Sequence, residues 1–499
     1  MTTAQQTILR APTRRRRRWV MPAGFVWATG ATLWFMANGL FPVSGQVQVI
    51  WLAAMLTVLG MIGAGAMSGG LDVRTALARL KLGPWIAIGF SVGFGLATLF
   101  WLGDIQGYRG FITRSSLMPG AIIAAVGFLA LIVAYCSTPS LLRDWGRKMD
   151  RVLRGGGTIS PGAWSVWTLW GLALFAQTVF FRRGTLGYLS DSSALLSTTS
   201  SLNAVLSGLT DFGLLATVVA GWRFAISRRP GAMVLLMWVA STQMVIGLFS
   251  GMKEAAIIQL VAVVVGYSAR GRLRFGPLVI SGLVVLFVIT PFVTAYRAAV
   301  LNGAGRLSPT QALQTVRFDQ LIGGVTSGNA TEGSLADSSS RWSRLGDVAI
   351  IVQKTPTTID YISPLELLGG PALGLVPRSL WPGKPVLDAG YQVNQQYYEM
   401  PRNVYSSAAV TPYGDLYRHG GVEIVIVGMA ILGMFVRTVD DRGGTVSDME
   451  PRLLFLPMLL FSTLVKQEMD YLAMSASLVS IILVAALASR LVSRRVTPN

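Results

Sequence analysis

Runs of about 20 apolar residues recur along this chain from Trp19 to Leu491, and a run of that length is what a helix needs to cross the hydrocarbon core of a bilayer. Composition points the same way. Of 499 residues, 52% are hydrophobic and only 13% charged, against roughly 25% charged in soluble proteins. The pattern predicts an all-α polytopic membrane protein with about twelve transmembrane helices. They fall at about 19–41, 47–67, 84–103, 118–137, 163–181, 204–225, 231–250, 254–268, 277–297, 419–437, 453–468 and 471–490. The eighth and eleventh are short for a crossing.

The apolar pattern breaks once at length, between about Tyr296 and Tyr417, in a stretch rich in Gly, Pro and Tyr. The chain therefore divides into residues 1–297 with nine spans, a large loop at 298–418, and residues 419–499 with three spans and a tail. Its net charge of +19 sits in short clusters between the apolar runs. Arg14–Arg18 precede the first span. Arg74, Arg79 and Lys81 follow the second, Arg143, Arg147, Lys148, Arg151 and Arg154 the fourth, and Arg228 and Arg229 the sixth. Arg270, Arg272 and Arg274 follow the eighth, Arg437, Arg442 and Arg452 the tenth, and Arg490, Arg494 and Arg495 the last. With twelve alternating spans, every cluster lies on one side. Cytoplasmic loops are enriched in Lys and Arg, so both termini are expected in the cytoplasm and the large loop outside. The charge thus reads as orientation, not as nucleic-acid binding. The single cysteine, Cys136, lies in an apolar run, which excludes a disulfide framework and a Cys-based metal site. No small-residue cleavage site follows the first basic cluster, so the first run reads as an uncleaved helix.

Two patterns inside the spans read as packing. Gly60-Met-Ile-Gly-Ala-Gly-Ala66 offers small residues that let helices approach closely. Trp164, Trp167 and Trp170 near a helix start read as an interfacial belt. Within the large loop, Ser308 to Leu321 predicts a short amphipathic helix, followed by a Gly/Ser-rich break from Gly323 to Ser340. A second helix is predicted over Arg341–Lys354, with Trp342, Leu345, Val348 and Val352 at helical spacing and an N-cap from the Ser338–Ser340 run. Arg341 and Arg344, three apart, share the adjacent face. Pro377, Pro382 and Pro385 make the following segment a rigid, irregular loop.

The ionisable residues on the outer side are the candidates for chemistry. No HExxH, Walker loop, dinucleotide fingerprint or tight carboxylate pair is present, and one histidine with scattered acids is poor material for a transition-metal site. Catalysis would rest on fixed cations and one base. Guanidinium groups bind phosphate oxygens bidentately and stay charged, which suits a pyrophosphate leaving group at a membrane surface. Lys253 lies in Gly247-Leu-Phe-Ser-Gly-Met-Lys-Glu-Ala256, between two apolar runs. A charge there either faces a cavity or snorkels to the interface. Arg182 and Arg183 read either as ligands or as interface anchors, and Arg341 and Arg344 either as ligands or as a solvated helix face. Arg378 and Lys384 are held among the three prolines. His419, beside Gly420 and Gly421, is the one histidine that could serve as a base.

Three segments carry a resemblance to a known family. They are Ser250-Gly-Met-Lys-Glu254, Arg341-Trp-Ser-Arg-Leu345 with Pro377-Arg-Ser-Leu-Trp-Pro-Gly-Lys-Pro385, and Thr411-Pro-Tyr-Gly-Asp-Leu-Tyr417 with Gly420 and Gly421. Together they resemble the bacterial O-antigen (Wzy-type) polysaccharide polymerases, the oligosaccharide repeat-unit polymerases, mainly over residues 240–435. The resemblance implies a membrane glycosyltransferase of the bacterial cytoplasmic membrane that extends a lipid-linked glycan at its outer face. Its substrate would be an undecaprenyl-pyrophosphate-linked oligosaccharide, with membrane lipid around it and a chain-length regulator and a flippase as further partners. No metal or cofactor is implied. Lys253, Arg341, Arg344, Arg378, Lys384 and Arg182 would hold the pyrophosphate. Asp415 or His419 would orient or deprotonate the acceptor hydroxyl, the Gly-acid-aliphatic-Tyr setting favouring Asp415. An O-antigen ligase shares the plan of helices plus a large loop and stands as an alternative, as does a flippase or transporter. The latter would show inverted repeats and broken helices. A dolichyl-phosphate-type mannosyltransferase would carry acidic residues in its first outer loop, where this chain has Phe41-Pro-Val-Ser-Gly45.

Overall fold

The computed structural model describes residues 45–102, 112, 114–154, 162–183, 185–186, 201–268, 289, 292–293, 343–376, 380–381, 383–385, 387–401, 407–441 and 451–492. Among these residues the chain is helical, without strands. In chain order the helices are α1 (Gly45–Met67), α2 (Val73–Ala78), α3 (Leu82–Phe90), α4 (Arg114–Ser137), α5 (Ser140–Arg154), α6 (Ala163–Arg182), α7 (Ser201–Ser227), α8 (Pro230–Phe249) and α9 (Lys253–Ser268). Then come α10 (Arg344–Lys354), α11 (Leu365–Leu368), α12 (Gly370–Leu375), α13 (Ala389–Gln396), α14 (Pro412–Arg418), α15 (Gly421–Asp440), α16 (Arg452–Leu464) and α17 (Tyr471–Val492).

Among the described residues, eight helices are long and apolar enough to cross a membrane, and the chain is a multi-pass membrane protein. Their positions follow the apolar runs to within a few residues. Two of the twelve expected spans correspond to shorter helices. α9 has 16 residues and α16 has 13, or about 24 and 20 Å at 1.5 Å per residue, short of the roughly 30 Å core. The first expected span, 19–41, lies outside the described residues, as does 277–297 apart from 289, 292 and 293. The third is a single rod of changing winding, in which α3 runs into a π-helical stretch, Ser91–Gly95, and a 3-10 stretch, Leu96–Leu102.

Small residues set the helix contacts. A Cβ on Gly60 would collide with Ser91 Oγ, one on Gly95 with Thr57, and one on Gly63 would lie 3.0 Å from the Phe128 ring, whereas Gly65 faces open space. The glycine patch is therefore a packing surface on two of its three glycines. The tryptophans divide as well. Trp164 and Trp167 are exposed, as an interfacial belt requires, while Trp170 donates from Nε1 to Thr242 Oγ1 at 2.8 Å between α6 and α8.

The described part of the large loop does not build a core of its own. Leu345, Val348, Ala349, Ile350 and Ile351 of α10 belong to the same buried cluster as the membrane helices. A Cβ on Gly120 of α4 would meet the Ala349 backbone at 2.9 Å. The predicted helix starts at Arg344 with Ser343 as its N-cap, so the Ser338–Ser340 cap is displaced. Those serines, Ser308–Leu321, the Gly323–Ser340 break and Trp342 lie outside the described residues.

The end of the bundle holding the α15 C-terminus carries a buried polar knot. Asp440 accepts from Leu82 N at 2.7 Å, Gly83 N at 2.9 Å and Tyr135 OH at 2.9 Å. Helix N-termini leave N–H groups without intrahelical partners, and Asp440 satisfies two of them for α3. Beside it, Asp441 pairs with Arg437 at 2.9 Å and with Arg143 at 2.6 Å. Residues of the basic clusters after the second, fourth and tenth expected spans, Lys81, Arg143 and Arg437, thus meet at one end. From Gly421 to Asp440, α15 spans 20 residues, about 30 Å, so its other end lies one hydrocarbon thickness away.

Candidate functional site

At that other end, Val465 to Asp470 links α16 to α17 in the sequence Val-Lys-Gln-Glu-Met-Asp. Gln467 adopts φ +53°, an uncommon left-handed conformation for a residue other than glycine. Its side chain holds it there. Nε2 donates to the Ile86 carbonyl at 2.9 Å and Oε1 accepts from Tyr413 OH at 3.1 Å. With Gln467 turned inward, Lys466 and Glu468 point together into a charged row. Lys466 pairs with Glu254 of α9 and, at 2.8 Å, with Glu468. Glu468 also pairs with Arg344 of α10. Arg344 lies 3.9 Å from Asp347, and Asp347 accepts from Tyr398 OH at 3.2 Å. Burial pulls the Lys466 ammonium down, but Glu468 and Glu254 outweigh it and hold its pKa above the ordinary lysine value. The π-helical stretch passes beneath the row, and a Cβ on Gly93 would lie 3.3 Å from Arg344 Cγ.

The same connector ends in a second, drier cluster. Helix α14 opens with Thr411 Oγ1 accepting from Gly414 N at 3.2 Å and with Pro412 as its first residue, both favourable start signals. It stops at His419, where Gly420 at φ +145° and Gly421 at φ +74° turn the chain into α15. Asp415 is completely buried and has both oxygens engaged. Its Oδ1 accepts from Arg418 Nε at 2.9 Å and its Oδ2 from Leu472 N at 3.2 Å. His419 Nδ1 lies 2.7 Å from the Asp415 carbonyl oxygen. A carbonyl can only accept, so Nδ1 is the donor and the neutral ring carries its lone pair on Nε2. That Nε2 faces Glu366 Oε2 at 3.9 Å.

Asp470 completes the group as the N-cap of α17, its Oδ1 accepting from Ala473 N at 2.7 Å. Burial first, then the neighbouring Asp415, pushes its carboxyl up to about 6, against the Ala473 amide and Arg418, which pull it down. Among the described residues, Arg418 Nη1 and His419 Nε2 are buried polar atoms without a hydrogen-bond partner. One is a fixed donor on a cation. The other is an open imidazole position, held 1% exposed. Such a pair is equipped to take a proton from a hydroxyl and to hold an anion beside it.

The structure brings Asp415 and His419 together, but on α14 and its C-cap, not on an early turn of the next span. It brings Arg344 into the charged row with Glu254, the neighbour of Lys253 at the start of α9. Arg182 ends α6 on an exposed surface, where Arg183 bonds Asn203 at 3.0 Å. Lys384 Nζ donates to the Val376 carbonyl at 3.1 Å, which braces the proline-rich segment. Arg341 and Arg378 lie outside the described residues. Sequence reading counted Arg418 among the outer-side cations without giving it a role, and it missed Lys466, Gln467, Glu468 and Asp470. The available signal was a run of four polar residues in five between two apolar helices. Among the described residues, no three His, Cys, Asp or Glu side chains gather as a metal site would require.

A family model described as a domain of unknown function, DUF8712, matches residues 178–445. No curated protein and no solved structure matches the chain. The match covers more than half of the sequence, from the end of α6 to just beyond α15, and the chain belongs to the DUF8712 family.

Proposed function

We propose that this protein is a metal-independent glycosyltransferase that polymerises polyprenyl-pyrophosphate-linked oligosaccharide repeats. The observation that carries this reading is the pair of buried, unpartnered nitrogens, His419 Nε2 and Arg418 Nη1, at the end of an apolar bundle. In the proposed step, His419 Nε2 takes the proton of the acceptor sugar's hydroxyl. That oxygen forms a bond to the anomeric carbon of the donor as the carbon–oxygen bond to pyrophosphate breaks. The leaving polyprenyl pyrophosphate carries away the electron pair. Arg418 Nη1 meets the developing negative charge, and fixed cations aimed at such charge contribute several kcal/mol in a water-poor site. Asp415 acts as a positioning residue, since both its oxygens already accept, from Arg418 and Leu472, and its backbone carbonyl fixes the histidine tautomer. Sequence setting favours Asp415 as the base; the bonding favours His419.

The rest of the pyrophosphate site falls to Lys253, Arg341, Arg344 and Arg378, with Lys384 and Arg182 at its margins. Of these, Arg344 is already paired with Glu468, so its role includes fixing the charged row. The accompanying topology has twelve spans with both termini in the cytoplasm of a bacterial inner membrane and His419 at the outer face. The meeting of Lys81, Arg143 and Arg437 at the opposite end supports it, because basic residues gather on the cytoplasmic side.

The test is incubation of the purified protein with a lipid-linked oligosaccharide. Longer lipid-linked products are the expected result. Transfer of the glycan to a different acceptor would mark a ligase, and an unchanged substrate would remove the transferase reading. A reporter fused within Gly323–Ser340 should be active only outside the membrane.

A further inference from the structure

Helices α11 and α12 lie in the stretch whose composition sets it outside the bilayer, yet they pack along a membrane-spanning helix. A Cβ on Gly370 would collide with Ser475 Oγ, and one on Gly374 with the Ala476 carbonyl. Ser475 and Ala476 are the fifth and sixth residues of α17, about 6–8 Å along its axis from the start. The apolar span of α17 begins at Tyr471. α12 therefore lies beside turns within the apolar span of α17, not above it.

The outward face of this segment is uncovered leucine. Leu365 is 72% exposed, Leu368 76% and Leu375 60%. Burying one such side chain is worth about 1.5–3 kcal/mol, so three of them in water would forgo a sum comparable with the whole stability of an ordinary domain. Backbone needs agree with an apolar surrounding. Gly369 N, Leu373 N and Val376 N donate to the carbonyls of Glu366, Gly369 and Ala372 at 3.0, 2.8 and 3.0 Å, and groups so paired are tolerated at membrane depth. From 365 to 376, Glu366 is the one ionisable side chain; it is 59% exposed, so it can reach toward the interface, and its Oε2 lies 3.9 Å from His419 Nε2. Further along the chain, Trp381 is partly exposed, a residue type favoured at the membrane interface.

We propose that residues 365–376 are embedded in the acyl-chain region of one leaflet, with Leu365, Leu368 and Leu375 in contact with lipid. The segment continues the lipid-facing surface of α17, with Glu366 at its His419 end. The proposal does not depend on the glycosyl-transfer reading. It is tested by single-cysteine labelling in a Cys136→Ser background, using a polarity-sensitive fluorophore and phosphatidylcholine vesicles. Leu368→Cys is compared with Leu483→Cys, exposed on α17, and with Asp360→Cys, exposed outside the apolar segment. Lipids with brominated acyl chains should quench Leu368→Cys as strongly as Leu483→Cys, and aqueous iodide should leave it bright. Quenching of Leu368→Cys by iodide to the extent seen for Asp360→Cys, with no response to brominated lipid, would overturn the proposal. Because all three positions are exposed, the cysteines remove little packing and report on the intact fold.

Discussion

Asp415→Asn and His419→Gln separate a positioning role from a proton-transfer role. In the wild type, Asp415 Oδ1 accepts from Arg418 Nε at 2.9 Å and Oδ2 from Leu472 N at 3.2 Å. An asparagine offers one oxygen and one NH2, so one of these donors must face another donor. That loses one charge-assisted bond, about 1.5–3 kcal/mol. It also leaves the Arg418 guanidinium, 4% exposed, without its counter-charge, and breaking a buried pair costs about 3–5 kcal/mol. Relief of repulsion at Asp470 offsets part of this, so a net loss of about 3 kcal/mol is expected. With an unfolding entropy near 2 cal/mol/K per residue over 499 residues, that loss is roughly a 3 °C fall in melting temperature. His419→Gln leaves these bonds intact and should melt like the wild type. Its transfer rate should fall about 100- to 10,000-fold, the usual worth of a general base. Melting is followed by fluorescence in lipid nanodiscs, and transfer by the length of lipid-linked products well below the melting point. The reasoning fails if Asp415→Asn melts normally and makes no product while His419→Gln extends the glycan. Asp415 would then be the base.

Asp470→Asn should raise the melting temperature above pH 6 and leave it unchanged below about pH 4. The folded carboxyl is raised from 3.8 to about 6, so ionisation opposes folding by an amount that grows across that window to roughly 3 kcal/mol. Asparagine still caps α17, and equal melting curves at pH 7 would show that Asp415 and burial do not strain Asp470. Gly89→Ala should cost about 1–3 kcal/mol, because its Cβ would collide with the Val465 carbonyl and push the connector. Gly65→Ala, in open space within α1, should be neutral or stabilising by about 0.5–1 kcal/mol, and similar melting of the two variants would refute the contact.

Hydropathy placed the long helices well, since each answers to one local property. The apolar run 231–250 emerges as Pro230–Phe249, and 163–181 as Ala163–Arg182. Features without a hydropathy signature stayed hidden. The switch from α-helical to π-helical winding at Ser91 falls where Gly60 and Gly95 let α1 press against it. α5 was read as a basic cluster because its charges are conspicuous, although Leu141, Leu142 and Trp145 at helical spacing announced an amphipathic helix. α16 ends at Leu464, not at 468, because Lys466 and Glu468 find charged partners outside the apolar run.

At the site, residue type was legible and spare bonding capacity was not. Arg344, Asp415 and His419 could be singled out from their chemistry and neighbours in the chain. Nothing local says that Glu468 lies 124 positions from Arg344 in sequence and yet neutralises it. Nor does it show that both oxygens of Asp415 are engaged, by Arg418 and by the Leu472 amide. A cation whose charge is matched is a strut, and a carboxylate with both oxygens occupied is poorly placed to take a proton. By that criterion the proposed function rests less on residues that looked prominent than on two atoms left over at this site, Nε2 of His419 and Nη1 of Arg418. Both depend on one six-residue connector, Val465 to Asp470. Gln467 anchors it within the helices. Lys466 and Glu468 then fix the charged row, and Asp470 caps α17 beside Asp415. Displacement of that connector would disturb both clusters at once.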